Sequence, residues 1–245
     1  MLNRITSRCY ALPCDHHADR PAIGYVRGDR YALLIDAGNS PAHAQLIRSA
    51  LDESSLPKPS LIALTHSHWD HTYGLSAWSC PAAACAEAQR HLTVMAAWAW
   101  TPEAMEERLR THEDILFCHD AILEEYADPS QIRVRTADIV YQSRLTLDLG
   151  GVHAELLRLE NSHSDDCSVV YVPEERVIFL GDICYEDLHH DPPCWHRHRF
   201  EALRSALSGL DFADAVPGHQ TPKTREELMA DLDSVLEDGE LPVIP

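Results

Sequence analysis

No apolar run in this chain approaches the roughly 18 residues needed to cross a bilayer, so no segment is expected to span a membrane and the protein is read as soluble. Basic residues are scarce: 20 Lys and Arg stand against 39 Asp and Glu, a formal net charge of −19. A field of that sign repels polyanions, which argues against nucleic acid or an anionic membrane as partner. The N-terminus, Met-Leu-Asn-Arg-Ile-Thr-Ser-Arg, lacks the apolar core of a secretory signal and has no small-residue cleavage site behind it. The eight cysteines are therefore expected as reduced thiols of a cytoplasmic protein, with Cys80, Cys85, Cys118, Cys167 and Cys184 buried. There is no fixed-period repeat, low-complexity tract or linker. A single domain over residues 1–245 is the economical reading, long enough to bury roughly three quarters of its unfolded surface.

What is present alternates between strand-like and helix-like blocks. Short apolar or β-branched runs at 22–26 and 31–35 flank a turn, Arg27-Gly28-Asp29-Arg30, that suits a hairpin. Helical spacing follows at 42–51, Pro57 and Pro59 break the chain, and Leu61 to Leu64 reads as a buried strand. Residues 83–126, rich in Ala, Glu, Leu and Met, predict two or more helices, with Thr101-Pro102 placed as N-cap and first helical residue. Strands are expected again at 139–141, 145–147, 152–157, 168–172 and 176–180, and a last helix at 225–237 ending near Gly239. This pattern predicts two sheets enclosed by helices.

The chemistry concentrates in residues 65–71, Thr-His-Ser-His-Trp-Asp-His, directly after the Leu61–Leu64 run. If that loop is extended, alternate side chains point the same way. His66 and His68 then reach one metal while Asp70 and His71 turn towards a neighbouring one. Imidazole and carboxylate without thiolate suit Zn²⁺, and Fe or Mn accept the same donors. Two such cations share a bound water and lower its pKa towards about 7, so no activated side-chain nucleophile is needed.

This stretch resembles the signature of the metallo-β-lactamase-fold hydrolases. The resemblance continues in order through His163 in Asn-Ser-His-Ser-Asp, Asp182 in Phe-Leu-Gly-Asp and His219 in Pro-Gly-His-Gln, and so covers residues 25–220. It implies an α/β fold, the four-layer αββα sandwich with a metal cleft along one edge of the sheets, carrying a helical insertion around 83–126. It also implies two metals, the first held by His66, His68 and His163, the second by Asp70, His71 and His219, with Asp182 bridging them. Asp70 and Asp182 would then serve catalysis as well as ligation.

Departures narrow what the resemblance implies. True β-lactamases of the family lack the bridging aspartate, so Asp182 points to hydrolases of esters, lactones, thioesters or phosphodiesters. The glyoxalase II type has two glycines after its Asp-His-x and a C-terminal helical domain, whereas here Thr72-Tyr73-Gly74 follows and only 26 residues lie beyond His219. A flavodiiron-like enzyme would place Glu at the position of His68. The leading expectation is a dinuclear zinc hydrolase of a small acyl compound. The alternatives are a mononuclear iron dioxygenase of the same fold, a phosphodiesterase, and a metal-binding protein without activity.

Other residues carry expectations of their own. Asp36 resembles the family's aspartate that supports the metal loop from behind, the alternative being a local turn cap. Tyr185, three residues beyond Asp182, either offers its hydroxyl to a developing oxyanion or merely packs. Residues 187–198 hold four histidines and a cysteine in a spacing that matches no closed zinc motif, and are expected as a loop near the cleft. One of His16 and His17 is expected to meet substrate. The helical block with Trp98, Trp100, Met105 and Phe117 is expected to wall or cover the pocket, or to make a homodimer contact.

Overall fold

The computed structural model describes residues 1–238 and 242–244. One sheet runs in sequence order through β1 (Asn3–Arg4), β2 (Cys9–Leu12), β3 (Ile23–Arg27), β4 (Ala32–Ile35), β5 (Leu61–Ala63), β6 (Ala82–Cys85) and β7 (Ile139–Tyr141). Its first four strands are antiparallel; β4 to β7 are parallel. The second sheet contains β8 (Arg144–Asp148), β9 (His153–Arg158), β10 (Ser168–Val172), β11 (Val177–Gly181), β13 (Asp214–Pro217) and β14 (Lys223–Thr224), with β11 and β13 parallel and the other pairs antiparallel. Two short strands, β12 (Trp195–His196) and β15 (Val243–Ile244), pair apart from both.

The layers follow from β10 and β11, whose residues are buried throughout and turn to opposite faces in alternation. Val170, Val172, Val177 and Phe179 face the first sheet, in one core with Tyr25, Leu34 and Ile62. Val169, Tyr171, Ile178 and Leu180 face the other way, packing with Phe200 and Leu203 of α6 (Arg197–Ser208) and Leu228 and Leu232 of α7 (Arg225–Asp238). The first sheet is covered by α1 (Pro41–Glu53) and α3 (Ala86–Ala96) through Ile47 and Leu92. The sheets approach so closely that a Cβ on Gly24 would lie 2.5 Å from the Phe179 ring, so only glycine fits there. The result is the expected α/β architecture with two large sheets and flanking helices.

The inserted block begins later than the composition suggests. Ala82–Cys85 is a strand, because its four small residues lie fully buried between parallel neighbours, and that packing overrides alanine's helical preference. The insertion therefore comprises α3, α4 (Pro102–Arg110) and α5 (Leu116–Glu125), and Thr101 does cap α4, its Oγ1 accepting from the Ala104 amide at 3.3 Å. Strands β1, β2 and β13 and helix α6 carried no expectation. The last helix extends to Asp238, and Gly239 lies outside the described residues.

A buried carboxylate is among the polar contacts that fasten the insertion to the sandwich. Glu125, whose side chain is 2% exposed, accepts from Arg20 Nε at 3.1 Å and Nη2 at 3.0 Å, and also from the Ser40 hydroxyl that caps α1. Glu125→Ala should lower unfolding stability by about 2–3 kcal/mol, less than the ~3–5 kcal/mol of a fully buried pair because Arg20 keeps partial contact with water. Urea unfolding measures it, and a loss below about 0.5 kcal/mol would mean that the contact fastens nothing.

Candidate metal centre

The strand directions explain why distant residues meet. β4 and β5 run parallel, so Asp36 and Thr65 emerge at the same sheet edge. β11 and β13 run parallel and release Asp182 and His219 at their C-terminal ends, while antiparallel β10 begins at that edge, just after His163. In α/β sheets, ligands gather where strand ends converge in this way.

After Ala63 the chain stays irregular to His68 and then turns into a short helix, α2 (Trp69–Thr72). This corrects the expected extended loop: Asp70 and His71 are separated from His66 and His68 by a helical turn rather than by strand alternation. Asp36 holds both ends of the segment. At φ +65°, its Oδ1 accepts from the Thr65 amide (2.8 Å), and its Oδ2 accepts from Thr65 Oγ1 (2.9 Å) and His71 Nδ1 (2.7 Å). Asp36 thus does support the loop from behind. Asp166, which had drawn no attention although it directly follows the His163 motif, fixes the other side. Its Oδ2 accepts from the Ser67 amide at 2.8 Å and its Oδ1 from the Ser164 hydroxyl at 2.6 Å.

All seven expected residues come together, in two groups whose donor atoms each lie within 4.8 Å of one another: His66, His68 and His163; and Asp70, His71, Asp182 and His219. His163 Nδ1 donates to the Glu186 carbonyl at 3.0 Å, leaving Nε2 to face His68 Nδ1 at 3.0 Å. Asp182 stands between the groups, with Oδ2 3.8 Å from His163 Nε2 and 3.2 Å from His219 Nε2, and Oδ1 3.3 Å from His71 Nε2. The backbone of β13's end crowds this carboxylate: a Cβ on Gly218 would lie 1.9 Å from its Oδ1.

His71 Nε2 lies 3.0 Å from Asp70 Oδ2, yet it and Asp182 Oδ1 are buried and make no hydrogen bond, as is His66 Nε2. Close approach without hydrogen-bond alignment means that these atoms aim at shared points rather than at each other. Buried polar atoms are seldom left so, and oxygen and imidazole donors converging on a point fit a divalent cation.

Electrostatics agree. Burial pushes His66 and His68 well below the usual imidazole range, keeping them neutral as ligation requires. For His71, burial is outweighed by the carboxylates of Asp70, Asp182 and Asp36, which push it up. For His219 burial again opposes, and Asp182 and Asp70 raise it to about 11. Burial works against charge on Asp70 and Asp182, but His71 and His219 hold both below the usual carboxylate range. Positive charge is therefore favoured where these carboxylates converge, which is what bound cations would supply.

The cleft has two arms that meet at His68, His163, Cys118 and His189. The larger, about 440 Å³, is walled by Tyr73, Met95, Trp98 and Ile122, with Arg90 and Arg199 at its lining. The smaller, about 220 Å³, contains Asp70, Asp182 and His219 with Phe117, Leu188, Tyr185 and His16. Trp98 and Phe117 therefore wall the cleft, while Trp100 and Met105 belong to the core of the insertion beside Trp69 and Tyr126. Of the paired histidines His16 lines the cleft, whereas His17 lies 3.3 Å from Glu124. The Tyr185 hydroxyl accepts from the His219 amide at 3.2 Å, and burial pushes the phenol up, so it keeps a proton to donate.

Asp19 gave no sequence signal: in a left-handed turn at φ 49°, it lies with Oδ1 3.6 Å from His219 Nδ1. The 187–198 segment does lie near the cleft as expected, and its His189 ring sits 5.4 Å from the His68 ring at a tilt. All eight cysteines are free, but only Cys85 and Cys167 of the five named ones are buried; Cys80, Cys118 and Cys184 are partly exposed. Cys118 is open because this part of α5 faces the cleft rather than the core. Among the described residues no helix is long and apolar enough to cross a membrane.

The sequence model of the Metallo-beta-lactamase superfamily matches residues 19–219. Among curated proteins, the chain is 25% identical over 211 residues to the 2,4-dinitroanisole O-demethylase subunit alpha of a Nocardioides species, a match covering 85% of this chain. The chain spans 55% of that relative's length. Among solved structures it resembles the stereoselective inverting sec-alkylsulfatase Pisa1 from a Pseudomonas species (TM-score 0.67, 14% identity, 95% of this chain and 40% of that one). It also resembles the DIM-1 metallo-beta-lactamase (TM-score 0.66, 15% identity, 98% and 97%) and a family protein from Thermus thermophilus (TM-score 0.65, 19% identity, 96% and 82%). At these identities the structures speak for the fold alone, but the match to the family model takes in every residue of both donor groups, and this chain belongs to the metallo-beta-lactamase superfamily.

Proposed function

We propose that this chain is a dinuclear zinc-dependent hydrolase of small acyl compounds, with His66, His68 and His163 holding one metal, Asp70, His71 and His219 the other, and Asp182 between them. The observation that carries this reading is the position of Asp182, whose two oxygens face both donor groups. A complete second group favours two metals over the single iron of a dioxygenase. When bound, the metals would supply an activated water and polarise the scissile carbonyl.

The chain's own residues do the rest. The Asp70 carboxylate, with Oδ2 3.0 Å from both His71 Nε2 and His219 Nε2, is placed to take the proton of the attacking water and return it to the leaving group. Tyr185 keeps its O–H to stabilise a developing oxyanion. The larger arm, with Trp98, Met95 and Tyr73, accepts an apolar or aromatic body beside the reacting group. A net charge of −19 disfavours polyanionic substrates and supports a small neutral or weakly charged one.

The test combines metal analysis with a substrate panel. Zinc-reconstituted protein should hold close to two metals across the donor groups named here, and His66→Ala or His163→Ala should empty the first site preferentially. With kcat/KM compared across matched ester, lactone, thioester, β-lactam, phosphodiester and aryl methyl ether substrates, an acyl substrate should lead. The ether belongs in the panel because of the relative's name. A phosphodiester or ether preferred by tenfold or more, about 1.4 kcal/mol of transition-state binding, would overturn the acyl assignment and leave the metal assignment standing.

A further inference from the structure

We propose that Asp187, Cys194 and His196 form a separate zinc site, distinct from the dinuclear cluster, that clamps the loop walling the cleft. A carboxylate oxygen, the cysteine sulfur and an imidazole nitrogen of these residues all lie within 4.8 Å of one another. Sequence spacing alone conceals the arrangement, because it arises from loop closure. The backbones of Asp187 and Cys194 bond in both directions, at 2.9 and 3.2 Å, and so bring the ends of the loop together. Asp187 Oδ1 accepts from the amides of His189 and His190 at 3.0 and 3.1 Å, while Oδ2 lies 3.0 Å from His196 Nε2.

Cys194 is fully buried, and among the described residues its thiol makes no hydrogen bond, whereas the Cys85 thiol donates to the Asp166 carbonyl at 3.1 Å. Thiolate, imidazole and carboxylate are zinc donors, and the charges of one thiolate and one carboxylate cancel that of the cation, which removes the penalty of burying the thiolate unpaired. Three protein donors leave a fourth position for water. Between the ligands the loop carries Leu188 and His189 into the cleft, and the His196 amide donates to Ser162 Oγ at 3.0 Å, next to His163. A cation here would therefore fix part of the substrate wall without touching the reaction.

Without a metal, the Asp187–His196 pair closes the loop alone, and cobalt distinguishes the two cases. The dinuclear donors include no sulfur, so a sulfur-to-cobalt charge-transfer absorption in the near ultraviolet reports this site whatever the state of the other. Cobalt(II) titrated into the reduced, metal-free full chain should develop that absorption. Cys194→Ala and His196→Ala should each abolish it and lower zinc content by one ion per chain. The double variant His66→Ala/His163→Ala should retain it, which separates this proposal from the dinuclear reading. Asp187→Asn, which keeps the turn's shape, should weaken it and provides a check if the cysteine variant folds poorly. Absence of the band in the parent chain, its persistence in Cys194→Ala, or its loss in Cys118→Ala instead would overturn the assignment.

Discussion

Asp182→Asn should cut kcat/KM by about a hundredfold or more and weaken the second metal's affinity, with little change in overall fold. The substitution is isosteric, which matters because Gly218 crowds the carboxylate and leaves no room for a different shape. An amide, however, has one oxygen where the carboxylate has two. Its NH₂ must face either His71 Nε2, now 3.3 Å from Oδ1, or His219 Nε2, now 3.2 Å from Oδ2. It also removes a negative charge from a place where two cations would otherwise repel each other across a short gap. Metal content by elemental analysis and kcat/KM on the leading substrate should fall together. A variant with the parent chain's full metal content and full turnover would refute the bridging role.

Much of this site was readable because its chemistry is written in residue types at short spacing. Three imidazoles and a carboxylate within residues 66–71 have few other uses, and their partners recur at strand ends, where a glycine precedes Asp182 and His219. Short apolar runs at 168–172 and 176–180 similarly marked the strands that divide the two cores. What escaped notice depends on tertiary neighbours. Ala82–Cys85 has the local preference of a helix and becomes a strand only because β5 and β7 flank it. Asp19 reaches His219 through a left-handed turn with no local signature, and Asp187 joins Cys194 and His196 only once the loop between them closes. The helical turn at Trp69–Thr72 likewise delivers Asp70 and His71 to the second group by a route that strand alternation does not describe.

Asp36→Asn should lower kcat/KM by about 10- to 100-fold and should do so through the metal bound by His71. Asp36 Oδ2 accepts the Nδ1 proton of His71 at 2.7 Å, which fixes the tautomer whose Nε2 lone pair faces Asp70 and Asp182. In the variant the remaining oxygen can keep the Thr65 amide, now 2.8 Å from Oδ1, so the NH₂ turns towards His71. Two donors then oppose each other. The imidazole relieves the clash by moving its proton to Nε2, and in that form it cannot bind a cation there. The backbone should tolerate the change, because asparagine accepts the left-handed conformation that Asp36 adopts at φ +65°. Asp36→Ala would add strain of about 1–2 kcal/mol at that angle and is the poorer test. The informative measurements are metal per chain, kcat/KM and Tm of the asparagine variant. The expected pattern is one metal lost, activity reduced and Tm of the metal-free protein shifted only a few degrees. The parent chain's full metal content with undiminished turnover would mean that His71 is oriented by its helix alone and that Asp36 only caps a turn.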